Sequence, residues 1–536
     1  MQLNRSISNL GLLFTAVGGI IGSGWLLGPF LAAKIAGPGS VLSWIIGGLM
    51  MMMIALTYAE LSSMLPVAGG TVRFLQFSHG TFASFTIAWI AWLASASVAP
   101  IETLALLHYA AVYLPWLMHK VNDTLVLTWP GMGIAAVLMF VMCFVNIIGV
   151  KILTKTNIFV VILKLLVPFL TVLVLFGISF HLSNFTSQGF LPMGFKGVLS
   201  ALPSAGVIFS FIGYSPAVQL AGEAKNPQKA IPFAILGALI ICIFLYTALQ
   251  ASFIGALNPQ SFTQGWQSLN FAGDAGPFAG IATALGALWL AKILYLDAAL
   301  SPFGTGLIYT GSTARMAFAM GKNGYLPKML MKLNSFGVPI HIIILNYIIG
   351  LSLFLPFPTW QGMMSFLVSC LVLAYTVGPL ALGVLRVSCA DRDRPFKVPA
   401  YRIVTVLAFY FCNLIVYWTG WKIISSMLIA VVIGYILLFA YKLTTSRNNL
   451  DLNWKNGWWV IVYFLALGGL AYISPFGGGK NWIPFGWDFL AVGAVALGIY
   501  SLSQWKGIKN ITHTFPELDE EAHPLHQTEE TLVSPP

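Results

Sequence analysis

The chain has 536 residues, 58% of them hydrophobic and 8% charged, against about 25% charged in an average soluble domain. That composition excludes a water-soluble globular protein and makes the chain an integral membrane protein. Its formal net charge of +11 is dispersed through short loops and forms no stripe, which excludes a nucleic-acid-binding surface.

Apolar runs of about 20 residues, the length that crosses about 30 Å of hydrocarbon, recur from Leu12 to Leu502 and predict about fourteen spans. Arg5 precedes the first run, but the run is too long for a signal peptide and lacks an A-x-A cleavage site, so it counts as the first span, about Gly11 to Lys34. Its centre reads Gly18-Gly19-Ile20-Ile21-Gly22-Ser23-Gly24. Glycine weakens a helix interior by roughly 1 kcal/mol relative to alanine, so this stretch opens the backbone. Free backbone groups at membrane depth are tolerated only against protein or a cavity, so the opening marks the place for a polar ligand.

The second span covers about Val41 to Met64, after the turn Ala36-Gly37-Pro38-Gly39, and a loop follows from Pro66 to Phe74. The third, about Phe82 to Trp116, carries Pro100 and Glu102 in its apolar interval. The fourth and fifth are about Gly131 to Gly149 and Ile152 to Phe180, with Lys164 well inside the fifth. The sixth begins near Gly197 and meets a second Gly/Ser/Pro interruption, Phe209-Ser210-Phe211-Ile212-Gly213-Tyr214-Ser215-Pro216. Two broken spans five apart are what an inverted repeat of five helices produces, with both breaks at the membrane midplane.

The seventh span ends near Gly255, and the loop from Ala256 to Pro277 has no basic residue. The eighth, about Phe278 to Tyr309, holds Lys292, Asp297, Ser301 and Pro302. On a helix, Asp297, Ser301, Gly304 and Thr305 share a face and line a polar cavity. Spans at about Val338 to Leu355, Trp360 to Val387, 403–420, 422–442, 457–474 and 485–504 complete the set. Basic residues such as Arg73, Lys225, Lys229, Arg315, Lys322 and Arg386 fall in alternate loops on one side, which by the positive-inside rule places both chain ends in the cytoplasm. The acidic, His-bearing segment after Lys506 reads as a solvated cytoplasmic tail. The five cysteines are scattered without metal-ligand spacing and read as packing residues, and no cofactor or metal is expected.

Taken in order, Gly22-Ser23-Gly24, the Pro66-x-Ala68-Gly69-Gly70 loop, Phe211-Ile212-Gly213, Glu223-x-x-x-Pro227, and the segments Asp297 to Pro327 and Arg394 to Pro399 resemble the amino acid-polyamine-organocation (APC) superfamily. Asp297-Ala298-Ala299-Leu300-Ser301-Pro302 with Asn323-Gly324-Tyr325-Leu326-Pro327 is most similar to its bacterial aspartate-proton symporter branch. The resemblance implies an all-α, LeuT-type fold. Residues 1–180 and 181–390 would form two inverted five-helix repeats, 391–505 peripheral spans and 506–536 the tail. It also implies an amino acid site between spans 1, 3, 6 and 8 of a cell (inner) membrane carrier.

In that frame the N–H groups of Ile21, Gly22, Ser23 and Gly24 begin the outer half-helix and receive a substrate carboxylate. Phe209, Ser210, Phe211 and Gly213 form the second break, whose carbonyls accept the substrate ammonium and whose Phe209 and Phe211 gate it. Lys164 is the expected proton-coupling residue: a lysine at a helix centre costs about 2.5–3.5 kcal/mol on insertion scales, and proton-coupled relatives carry one there. The alternative is permanent pairing with a carbonyl or carboxylate. Glu102 and Asp297 are pocket charges, either functional or structural partners of Lys164. Glu223 and Arg315 are expected at an inner gate or as solvated loop charges. Relatives often place an acid two residues after the second-break glycine, where this chain has Ser215.

The expected partners are a small amino acid, protons and the bilayer. Aspartate or glutamate is implied by the resemblance, with a neutral or cationic amino acid, or an exchange mode, as alternatives. An enzyme is not expected, because the histidines lack H-E-x-x-H or related spacing; nor is a channel, because no repeated pore loop or charged ring is present.

Overall fold

The computed structural model describes residues 7–67, 70–121, 124–148, 150–219, 224–270, 276–444 and 452–509, the side chains of 150–160 and 444 excepted. Ala68, Gly69, Glu223 and the acidic tail lie outside the described residues. The architecture is all-α apart from one short hairpin.

The first span is two helices. α1 (Asn9–Ile20) starts at Ser8, whose Oγ accepts the Gly11 N–H at 3.1 Å, a side-chain cap on an otherwise open helix end. It stops at Ile21, which is extended (φ −82°, ψ 94°), and α2 (Gly24–Ala36) resumes three residues on. α3 (Ser40–Met64) follows. The sequence predicts a loop through Phe74, but α4 (Gly70–His79) is a fully buried helix. No breaker separates Thr71 from His79, and the helix stops where Gly80 takes φ +80°, a conformation open to glycine alone at low cost.

α5 (Thr81–Ala96) and α6 (Val98–Ala110) form the third span. The helix ends at Ala110, before the predicted Trp116, and Pro115 disfavours a helical Leu114 beyond it. β1 (Met118–Val121) and β2 (Thr124–Leu127) then pair antiparallel, Met118 opposite Leu127. α7 (Trp129–Ile148) and α8 (Val150–Ile178) lead to the sixth span: α9 (Gly194–Ser204), a 3₁₀ stretch Phe209–Tyr214 and α10 (Ser215–Gln219), bent by 41°.

α11 (Pro227–Ala256) and α12 (Pro277–Ala284) precede a break at Gly286, φ +78°. α13 (Leu288–Lys322) carries on well past the predicted end at Tyr309, since nothing stops it before Asn323-Gly324. α14 (Ile340–Leu353), α15 (Trp360–Tyr375) and α16 (Val377–Ser388) follow. The last set is α17 (Tyr401–Trp418), α18 (Trp421–Thr444), α19 (Trp454–Gly457), α20 (Trp459–Ile473) and α21 (Trp487–Lys506).

Among the described residues, nine helical stretches are long and apolar enough to cross a membrane, ten with the bent pair joined. The interrupted α1 and the short α14 fall below that length on their own. α1 lies at the centre, packed against α8, α10, α11, α13 and the 3₁₀ stretch.

Candidate functional site

The two broken spans meet backbone to backbone. A Cβ on Gly19 would run into the Gly213 carbonyl, and one on Gly213 would run into the Gly19 carbonyl, so only glycine at both positions permits the approach. Gly18 is equally confined, its Cβ position 2.6 Å from Val161 Cγ2 on α8. This contact holds α1 against the helix that carries Lys164.

Breaking α1 frees carbonyls, and those of Gly18, Ile20 and Ile21 are met by side chains. The Lys164 ammonium donates to Gly18 O at 2.9 Å, Ile21 O at 2.8 Å and Thr305 Oγ1 at 2.6 Å. Tyr246 OH donates to Ile20 O at 3.1 Å, and Ser301 Oγ to Ile21 O at 3.4 Å. An ammonium has three donors and no acceptor, so Lys164 is saturated by these three oxygens. α8 turns Lys164 inward while Ile162, Leu166 and Phe169 stay exposed on its opposite face.

Of the break's N–H groups, Ile21 N donates to Val17 O at 2.8 Å and Gly22 N to Ile20 O at 3.1 Å. Ser23 N donates to Glu102 Oε2 at 2.9 Å. In this conformation, therefore, Glu102 stands at the start of α2, where the family resemblance leads to the expectation of a substrate carboxylate. The negative end of a side chain there also matches the positive end of the α2 dipole. Glu102 Oε1 is buried with no hydrogen-bond partner among the described residues, and a Cβ on Gly22 would sit 2.5 Å from it.

Asp297 lies one turn from Ser301 and two from Thr305 on the inner face of α13, and its Oδ2 is likewise unpartnered among the described residues. Glu102, Lys164 and Asp297 are 1%, 1% and 3% exposed. Two acids and one base are thus buried, Lys164 in electrostatic contact with both Glu102 and Asp297, and two carboxylate oxygens lack a partner among the described residues.

At the second break the residues separate. Phe209 stands edge-on to Trp360 at 5.8 Å, and Trp360 Nε1 donates to Ser23 Oγ at 3.1 Å. Ser210 faces Gly24 so closely that no Cβ fits there, and its Oγ donates to Gly206 O at 2.8 Å. Phe211 turns away, into a cluster with Trp44 at 5.9 Å and Tyr246 at 5.4 Å, while Phe209 meets the Trp360 ring that bonds Ser23. Tyr375 OH donates to Ile212 O. Ser215 is buried in the same region.

Of the expected inner-gate pair, Arg315 is half-buried on α13 and Glu223 lies outside the described residues. Two polar sets on the other elements were not singled out from the sequence. Arg73 on α4 donates to Asn323 Oδ1, and Tyr325 OH to Gln76 Oε1. Glu60, fully buried on α3, takes Arg386 through Nε at 2.6 Å and Nη2 at 2.7 Å, and also accepts Val398 N at 2.7 Å. Arg394 Nε is 3.5 Å from the same carboxylate. The signal for Glu60 was a lone acid in an apolar span; its basic partners lie more than 300 residues away.

Comparison with known proteins gives the family of the chain. A family model described as amino acid permease matches residues 7–438. The glutamate/serine transporter AimA of Bacillus subtilis is 37% identical over 506 residues, 93% of each chain. The aspartate-proton symporter of the same organism is 33% identical over 510 residues, 95% of this chain and 97% of that protein. The branched-chain amino acid permease BcaP, also of B. subtilis, is 28% identical over 471 residues, 84% of this chain and 95% of that one. The family and these relatives are transporters, not enzymes. With its apolar helices broken at Gly22 and Gly213 and its multi-pass membrane architecture, the chain belongs to the amino acid permease family.

Proposed function

We propose that the protein is a proton-coupled symporter that imports an amino acid across the cell membrane, with aspartate and glutamate as the favoured class. The observation that carries this reading is the Lys164 ammonium, whose three donors meet three acceptors across the first break and α13. A neutral amine has two donors and one lone pair, so loss of the proton changes the hydrogen bonding at one of those oxygens. The shape of the break thereby depends on whether the proton is present, which is the requirement for coupling.

Charge arithmetic supports the same reading. Glu102 and Asp297 against Lys164 leave the buried set one negative charge in excess, and burying unpaired charge is costly. A single proton makes the set neutral, and an acidic substrate brings a further negative charge that a co-transported proton balances. The substrates named for AimA and for the aspartate-proton symporter, glutamate with serine and aspartate, agree with this class.

A neutral amino acid is the second reading, favoured by Phe209 and Trp360 beside Ser23, which offer an apolar wall. The positive-inside pattern supports cytoplasmic termini. In proteoliposomes, an inward proton gradient should drive saturable accumulation of labelled aspartate or glutamate at least tenfold above a no-gradient control. Serine and leucine measured in parallel decide between the readings. Uptake indifferent to the gradient for every amino acid would overturn proton symport.

A further inference from the structure

Away from the transport site, a cavity of about 500 Å³ lies where α19 and the end of α21 meet, lined by Asn453, Lys455, Asn456, Trp505, Lys506 and Lys509 among others. Among the described residues, its lining includes three lysines and no acid. The walls are fixed by hydrogen bonds. Asn453 Oδ1 accepts Thr81 N and Thr81 Oγ1 at 3.2 Å each, and Asn456 Nδ2 donates to Lys506 O at 2.7 Å. Beyond α21, Ile508 N donates to Ser78 O at 2.8 Å, and Ser388 Oγ donates to Ile508 O at 2.8 Å.

Lys455, Lys506 and Lys509 line this one cavity from α19, the end of α21 and the segment after it. Lys506 Nζ lies 3.8 Å over the Trp505 ring and 5.8 Å over that of Trp458, a cation–π arrangement that holds the ammonium at the mouth. The surroundings are interfacial. Trp505 and Trp454 are 68% and 50% exposed at the ends of apolar spans, where tryptophan rings mark the boundary between lipid and water. Leu465 on α20 and Leu497 on α21 are also exposed.

We propose that this cavity binds the phosphodiester headgroup of an anionic phospholipid. The lysines and the Asn456 amide face the phosphate oxygens while the tryptophans and span surfaces receive the acyl chains. Basic pockets between spans on the cytoplasmic side suit such headgroups. Through Thr81, the frame of the pocket is tied to the start of the span that carries Glu102.

The test is native mass spectrometry and thermal stability of the delipidated full chain with phosphatidylglycerol, phosphatidylcholine or inorganic phosphate added. Each lysine near an anionic surface weighs roughly fivefold in affinity. The Lys455→Gln/Lys506→Gln/Lys509→Gln triple variant should therefore bind phosphatidylglycerol about a hundredfold more weakly, and Lys455→Gln alone about fivefold, which keeps the test open should the triple variant fold poorly. Wild type should retain phosphatidylglycerol over phosphatidylcholine, with or without residues 510–536. Equal retention of the two lipids, or unchanged retention in both lysine variants, would overturn the proposal. Stabilisation by inorganic phosphate equal to that by phosphatidylglycerol would assign a free anion instead. Lipid binding seen only after removal of 510–536 would assign the pocket to the acidic tail. Either result overturns the lipid site.

Discussion

Glu102 on α6 accepts the Ser23 amide at 2.9 Å, across 79 residues of sequence, and so stands at the opening of the first broken span with its second oxygen unpartnered among the described residues. A substrate carboxylate directed to the same amide has to displace it. Glu102→Gln preserves an acceptor for Ser23 N and removes the charge. Gradient-driven accumulation should fall at least tenfold while exchange of internal for external substrate stays within about twofold. A Glu102→Gln protein with wild-type accumulation and pH dependence would remove Glu102 from the coupling scheme.

Gly22 gives the sharpest steric test. Its Cβ position lies 2.5 Å from Glu102 Oε1 and 3.0 Å from Thr305 Oγ1, so Gly22→Ala should weaken substrate binding at least tenfold without blocking membrane insertion. Shortening the obstructing side chain in Gly22→Ala/Glu102→Ala should recover part of that loss relative to the product of the single effects. Strict additivity in isothermal titration would place the substrate away from this contact.

Gly213 is a stability position. A methyl group there would enter the Gly19 carbonyl, where backbone and not a flexible side chain must move. Overpacking of this kind costs about 1–3 kcal/mol, and Gly213→Ala should lower the melting temperature in detergent. A melting curve superimposable on wild type would show that the two breaks do not touch.

Glu60 predicts a large effect outside the transport site. Removing one member of a buried ion pair costs about 3–5 kcal/mol, since the partner charge is left uncompensated. Glu60→Ala strands Arg386 and frees the Val398 amide, and should destabilise the protein more than the Glu60→Ala/Arg386→Met double variant does. Equal melting temperatures for the two would contradict a shared pair.

The breaks were legible because glycine and serine in an apolar run have one local reading, and Lys164 because a cation in hydrocarbon is conspicuous. The α13 face bearing Asp297, Ser301 and Thr305 followed from helical spacing alone. Long-range partners were not legible. Nothing local says that Glu102 turns toward Ser23, that Phe211 packs on Trp44 while Phe209 meets Trp360, or that Glu60 finds Arg386. α4 was missed because its polar residues suggest solvent, whereas Arg73 and Gln76 are buried by pairing with Asn323 and Tyr325.

The proton-reading role proposed for Lys164 is tested most directly by Lys164→Ala in proteoliposomes, with counterflow exchange and gradient-driven uptake measured on the same preparation. In this variant the inward proton gradient should no longer drive accumulation while counterflow persists. Accumulation that still follows the gradient in Lys164→Ala would contradict that role.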